Sequence, residues 1–189
     1  MSGGEYSGNL SDKLNILEFK SGILPTDIQV ARKGSELILS ITGTTDKITM
    51  DYFFSQNTPL NPANPIQQVK FHNGTIWDVD TILSYLLKGT DFSDTIIGTS
   101  FDDIIDGKGG SDLIYGYDGN DVLYGGLGND RLYGGKGNDT LYGGPDNDTL
   151  YGEEGDDILI GGPGNDTLIG GLGNDLYLFG KGDGQDVIC

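Results

Sequence analysis

The chain has 189 residues, with 11 Lys plus Arg against 29 Asp plus Glu, a formal net charge of −18 and an isoelectric point near 4.1. The charge is uneven: residues 1–89 hold seven bases and nine acids (7 − 9 = −2), and residues 90–189 hold four and 20 (4 − 20 = −16). A field of that sign excludes nucleic acid and anionic membrane as partners of the second half and favours cations; one cysteine, Cys189, excludes an intrachain disulfide, and no apolar run approaches a membrane span.

Met1 to Ser11 is a polar, glycine-rich lead without the charged start and apolar core of a signal peptide. Leu14 to Phe19 alternates as a strand, and Pro25 turns the chain between Ser21 and Asp27. Ile28 to Arg32 and Glu36 to Ile41 flank Lys33-Gly34-Ser35 as a hairpin, and Lys47 to Phe54 forms another strand. Gln56 to Pro65, rich in proline and asparagine, is a loop. Ile66 to Phe71 and Thr75 to Trp77 make a second hairpin around Asn73-Gly74. Asp78 or Asp80 caps a short helix, Thr81 to Lys88, that Gly89 ends. Residues 12–88 thus read as a small β-rich module whose helix is placed to cover the near end of the second half of the chain.

From Gly89 to Leu178 the chain repeats in ten frames of nine residues, each with glycine in place one and aspartate in place six. The sixth-place residues are Asp94, Asp103, Asp112, Asp121, Asp130, Asp139, Asp148, Asp157, Asp166 and Asp175. Place eight is Ile or Leu from Ile96 to Leu168, with Tyr177 closing. Glycines at places one, two and four permit tight turns with positive φ, and the last three residues of a frame, such as Thr140-Leu141-Tyr142, favour a short strand with one inward apolar side chain.

This array resembles the calcium-binding nonapeptide repeats of RTX (haemolysin-type) proteins, whose consensus is GGxGxDxUx. The resemblance implies an all-β chain dominated by a parallel β-roll, with two frames per coil, about five coils and a height of roughly 24 Å. It implies several Ca²⁺ ions, each between the turns of frames n and n+2, so ten frames allow at most 10 − 2 = 8. The implied ligands are the sixth-place aspartates with neighbouring turn positions: Gly107, Gly116, Gly125, Gly134, Gly143, Gly152, Gly161 and Gly170 at place one, Gly109 and Asp118 at place three, and Gly128, Gly137, Gly155, Gly164 and Gly173 at place four. In such a roll every second aspartate stands in one column. Carboxylates about 4.8 Å apart at an effective dielectric of about 20 repel by about 3.5 kcal/mol, so a cation belongs between them. Hard oxygen donors without a soft ligand suit Ca²⁺. One apolar residue per frame is small against the entropy of ordering nine glycine-rich residues, so metal binding supplies folding free energy.

Asp46 to Phe54 and Ile66 to Asp78 resemble the haemolysin-type calcium-binding-related domain that alternates with RTX arrays in large secreted proteins. Phe179 to Ile188 resembles the segment that leads into such a domain, so residues 179–189 read as the start of a following segment and the chain as one period of the alternation. Those resemblances imply an extracellular bacterial protein, type I secretion, and neighbouring RTX or effector domains.

No catalytic set is present in the sequence. His72 is the lone histidine beside a turn, and one His with one Cys cannot close a zinc site. Gly134-Gly135-Lys136 lacks the Ser or Thr of a phosphate loop, no loop ends as an EF-hand requires, and the Asn-Asp-Thr triplets at Asn138, Asn147 and Asn165 are written by the repeat. The place-nine tyrosines Tyr115, Tyr124, Tyr133, Tyr142 and Tyr151 form a ladder that packs across strands; its rival reading is a glycan or surface partner of an adhesin. A further rival is the C-terminal part of an RTX lipase, protease or epimerase. Phe92 and Phe101 replace the place-four glycine, Asp146 does so with strain or an added ligand, and Glu153-Glu154 take places two and three.

Overall fold

A computed structural model describes residues 14–54 and 66–189. It divides into two compact units, Met1–Ile82 and Leu83–Cys189. The loop expected at Gln56 to Pro65 and the lead at Met1 to Ser11 lie outside the described residues.

The first unit contains two three-stranded sheets. One is an antiparallel meander of β2 (Ile28–Lys33), β3 (Glu36–Ile41) and β4 (Lys47–Met50), preceded by a 3₁₀ turn at Pro25–Asp27. The strand expected through Phe54 stops at Met50. Tyr52 turns the backbone to φ 61°, which brings Phe53 and Phe54 into the core, with the Arg32 guanidinium 4.3 Å from the centre of the Phe54 ring. The other sheet orders β1 (Ile16–Glu18), β5 (Gln68–Lys70) and β6 (Ile76–Asp78); β5 and β6 form the expected hairpin, with Gly74 at φ 89°, while β1 joins β5 in parallel. Phe71 anchors this sheet, stacked on Phe19 at 5.3 Å and edge-on to Trp77 at 4.8 Å.

Helix α1 (Val79–Leu86) begins and ends two residues earlier than its sequence suggests. Asp78 is its cap: one carboxylate oxygen accepts the Thr81 N–H at 2.8 Å and the Thr81 hydroxyl at 2.6 Å, which lowers the Asp78 pKa from its ordinary value.

The second unit is a parallel β-solenoid. Short strands β7 (Thr95–Ile97) and β8 (Ile104–Asp106) start it, and six-residue and three-residue strands then alternate. The longer set is β9 (Leu113–Asp118), β11 (Arg131–Lys136), β13 (Thr149–Glu154) and β15 (Thr167–Leu172). The shorter set is β10 (Val122–Tyr124), β12 (Thr140–Tyr142), β14 (Ile158–Ile160) and the two-residue β16 (Leu176–Tyr177). The first set joins a six-stranded sheet and the second a five-stranded one, with partners 18 residues apart, as in Leu123↔Leu141 and Leu132↔Leu150. Two frames therefore make one coil.

Place eight points between the sheets. Ile96, Ile105, Ile114, Leu123, Leu132, Leu141, Leu150, Leu159 and Leu168 form one continuous buried column. Leu87, just after helix α1, and Tyr177 on β16 pack against it, and the Leu87 carbonyl accepts the Asp106 N–H at 3.1 Å. The roll also runs past Leu178. Strand β17 (Val187–Ile188) pairs with β15 as Thr167↔Val187 and Leu168↔Ile188, an offset of 20 instead of 18. Phe179 and Gly180 are a two-residue insertion, after which Lys181 to Cys189 supplies an eleventh turn and strand.

Glycine has different tasks at different places. In the frames from Gly107 onward, places two and four take positive φ at every residue but Gly164: Gly137 has φ 124°, and even Lys108, Tyr117, Asp146 and Glu153 adopt φ of 70–84° where a side chain replaces the glycine. Place one does not, so the expected positive φ is wrong there. Its missing side chain makes room for oxygen atoms instead.

With calcium saturating, Leu141→Ala should lower the unfolding free energy by about 2–5 kcal/mol in chemical denaturation, because Leu141 is fully buried in the column. Leu127→Ala, at a side chain 62% exposed, should change it by less than about 0.5 kcal/mol.

Candidate metal centre

Because alternate frames turn at opposite edges of the roll, the sixth-place aspartates separate into two files. One runs Asp94, Asp112, Asp130, Asp148, Asp166 and, after the insertion, Asp186; the other runs Asp103, Asp121, Asp139, Asp157, Asp175. Within a file each aspartate is tied to the coil before it. Oδ1 of Asp139 accepts the Asp121 N–H at 2.7 Å, Oδ1 of Asp148 accepts the Asp130 N–H at 2.8 Å, and Oδ1 of Asp186 accepts the Asp166 N–H at 2.9 Å. One oxygen of each carboxylate is thereby fixed, and the carboxylate's direction with it.

The other oxygen is the informative one. Oδ2 of Asp112, Asp121, Asp130, Asp139, Asp148, Asp157 and Asp166 is buried without any hydrogen-bond partner. A buried acceptor without a donor is costly, and a buried carboxylate more so. Each of these oxygens faces the bare Cα of the place-one glycine of its own frame, and in six of the seven frames the place-one carbonyl of the next coil faces the same point. A methyl group at Gly125 would lie 2.5 Å from Asp130 Oδ2 and 2.6 Å from the Gly143 carbonyl; at Gly134 it would meet Asp139 Oδ2 and, at 2.8 Å, the Gly152 carbonyl. The glycine leaves an oxygen-lined hollow that any Cβ would fill.

The electrostatics agree. Burial first, with neighbouring carboxylates adding to it, pushes Asp121, Asp139 and Asp148 up to about 7 and Asp130 to about 6, and it raises Asp112, Asp157 and Asp166. Among the described residues no three His, Cys, Asp or Glu side chains gather where they could hold a metal by themselves. The donor set is therefore one carboxylate oxygen with backbone carbonyls, all hard oxygens, which fits Ca²⁺ and suits neither zinc nor a soft metal.

Not every expected residue contributes such a bare oxygen. Oδ2 of Asp94 accepts the Thr90 N–H at 2.7 Å and hydroxyl at 2.8 Å, and Oδ2 of Asp103 accepts the same pair from Thr99 at 2.5 and 3.0 Å. Threonine at place two thus occupies the oxygen that stays bare in later frames. Asp175 lies beside the Tyr177 hydroxyl, which accepts the Gly170 N–H at 2.9 Å. Asp118 is exposed on β9 in register with Lys136, away from both files. Gly109 pairs with Leu127 in an isolated bridge. At place four, Gly128, Gly137, Gly155, Gly164 and Gly173 let the turn approach a carbonyl of the preceding coil. Asp186 is a member that the nine-residue count misses, although the spacing within Gly182-Asp183-Gly184-Gln185-Asp186 repeats the Gly-x-Gly-x-Asp of the frames.

The arrangement defines a parallel β-roll with oxygen-lined hollows between successive turns. Comparison with known families agrees: the RTX calcium-binding nonapeptide repeat (4 copies) matches residues 88–123, 115–150, 124–159, 142–177 and 151–188, and the haemolysin-type calcium binding protein related domain matches residues 36–81. The chain belongs to the RTX calcium-binding repeat family, and its repeats bind Ca²⁺.

The raised carboxylates set a pH dependence. In the unfolded chain they titrate near 4, whereas the metal-free roll keeps protons up to about 7. The stability that protonation contributes is complete below about pH 4 and lost as pH rises through about 7. Metal-free protein should therefore hold more β structure at about pH 4.5 than at about pH 8 by circular dichroism. Its calcium midpoint should rise as pH falls over the same range, because protons and calcium compete. A metal-free signal that grows with pH would contradict the assignment.

Proposed function

We propose that this chain is a calcium-gated folding module of a secreted protein, ordered outside the cell and carrying no catalysis of its own. The observation that supports it is the pair of files in which seven buried carboxylate oxygens lack any donor. Bound Ca²⁺ supplies the missing positive charge there. Without it, the chain's own residues oppose closure, since each coil adds another carboxylate beside one that is already buried.

On this reading Oδ2 of Asp112, Asp121, Asp130, Asp139, Asp148, Asp157 and Asp166 marks seven positions, one fewer than the bound of eight from counting frames. The place-one carbonyls of the next coil complete six of them. Extracellular modules commonly hold calcium at millimolar affinity, which leaves such an array empty in the cytosol and loaded after export. The family likeness supports export by type I secretion and attachment to further RTX or effector domains.

Among the described residues no helix is long and apolar enough to cross a membrane. The tyrosines form two stacks instead of one ladder, because alternate frames go to opposite sheets. Tyr115, Tyr133 and Tyr151 lie on the six-stranded sheet at 5.0 and 4.6 Å, and Tyr124 and Tyr142 on the five-stranded sheet at 4.8 Å. Those separations are the strand spacing itself, so sheet packing accounts for the stacks without a glycan.

Far-ultraviolet circular dichroism of metal-stripped protein tests the proposal. Calcium should produce a cooperative gain of β signal near millimolar concentration, and magnesium at the same concentration should not. Stripped protein that is already fully β and indifferent to calcium would refute it.

A further inference from the structure

Place five, next to the calcium aspartate, carries a second file of side chains whose bonds run the opposite way. Oδ1 of Asn120 accepts the Asn138 N–H at 2.8 Å, Oδ1 of Asn138 accepts the Asp156 N–H at 2.9 Å, and Oδ1 of Asp156 accepts the Asn174 N–H at 2.8 Å. At the other edge Oδ1 of Asn129 accepts the Asn147 N–H at 3.0 Å, and Oδ1 of Asn147 accepts the Asn165 N–H at 2.9 Å. Each place-five side chain therefore holds the backbone of the following coil, whereas each place-six aspartate holds that of the preceding one. Two adjacent residues tie every pair of turns with bonds of opposite sense.

The two files differ in charge. An aspartate file repels itself until a cation arrives, but an asparagine amide accepts the same kind of bond without charge, and so the place-five bond adds no repulsion of its own when the coils close. It fixes the separation of successive turns one residue away from the orphaned Oδ2 atoms. Calcium takes oxygens at about 2.3–2.6 Å in flexible geometry, whereas magnesium demands about 2.0–2.1 Å and a regular octahedron. A hollow whose walls are pinned apart accepts the first ion and cannot contract on the second.

We propose that the place-five asparagines, Asn120, Asn129, Asn138, Asn147 and Asn165, are positioning residues that set calcium affinity and discrimination against magnesium by holding successive turns at a fixed separation. The inference rests on the calcium reading of the neighbouring aspartates. Groups that orient metal ligands without touching the metal are typically worth about 10–100-fold in affinity.

The test is calorimetric titration of the full chain with Ca²⁺ and with Mg²⁺, comparing wild type, Asn138→Ala with Asn147→Ala, and Asn138→Asp with Asn147→Asp. The alanine pair should raise the calcium midpoint at least about tenfold and narrow the calcium-to-magnesium ratio. The aspartate pair keeps the acceptor, as Asp102 does for the Asn120 N–H at 2.8 Å, and should restore both. Unchanged midpoints in the alanine pair, equal weakening toward both ions, or an aspartate pair as impaired as the alanine pair would each overturn the proposal. Should the alanine pair not fold, the single Asn138→Ala and Asn138→Asp variants decide by the same ratio. Wild type that binds no calcium would refute the calcium reading itself, whereas wild-type binding with indifferent variants would refute only the role of place five.

Discussion

Each coil of the roll adds one carboxylate to each of two files, and the fold closes only if those carboxylates can be buried on top of one another. Strand pairing and the apolar column favour closure, but the column contributes a single Leu or Ile per frame. Against it stand buried oxygens with no donor and the entropy of ordering a glycine-rich chain. Where threonine at place two supplies donors, at Asp94 and Asp103, the conflict is absent. From Asp112 to Asp166 it is present in every frame. On the proposed reading the cation requirement belongs to the middle of the roll, Asp112 to Asp166, where no threonine at place two supplies a donor.

This constraint organises the rest of the second unit. Place one must be glycine because the hollow is where a Cβ would be, not because of its φ. From Gly107 onward places two and four turn with positive φ everywhere but at Gly164, and they do so even where Tyr117, Glu153 and Asp146 make that conformation costly. Place five supplies a bond to the next coil beside the charged one at place six, neutral where it is asparagine and charged at Asp102 and Asp156. Each position of the frame thus answers a separate demand of packing oxygen atoms between turns.

Much of the roll is legible in the sequence because the repeat is strict. The nine-residue period, with the two frames per coil that the family resemblance implies, predicts the 18-residue register, and the aliphatic residue at place eight predicts the column. The features that escape a reading by pattern do so for physical reasons. The eleventh frame lies behind the insertion of Phe179 and Gly180, which shifts the offset to 20 and removes Asp186 from any count by nines. The split of the files at Thr90 and Thr99 is invisible to a pattern that scores only glycine and aspartate. The asparagines at place five look like by-products of the repeat until their amides are seen to bridge coils. In the first unit local turn signals announce both hairpins, but the parallel pairing of β1 with β5 is non-local and has no sequence period to reveal it.

The central claim is that the bare Oδ2 atoms are where calcium binds. A crystal structure of the calcium-loaded chain, with anomalous difference maps collected at a long wavelength where calcium scatters anomalously, tests it most directly. The account predicts two rows of peaks beside Oδ2 of Asp112 through Asp166, one per hollow, and none beside Asp94 or Asp103. Rows displaced to the exposed acids such as Asp118 and Glu154, or a roll fully formed with no peaks in either file, would contradict it.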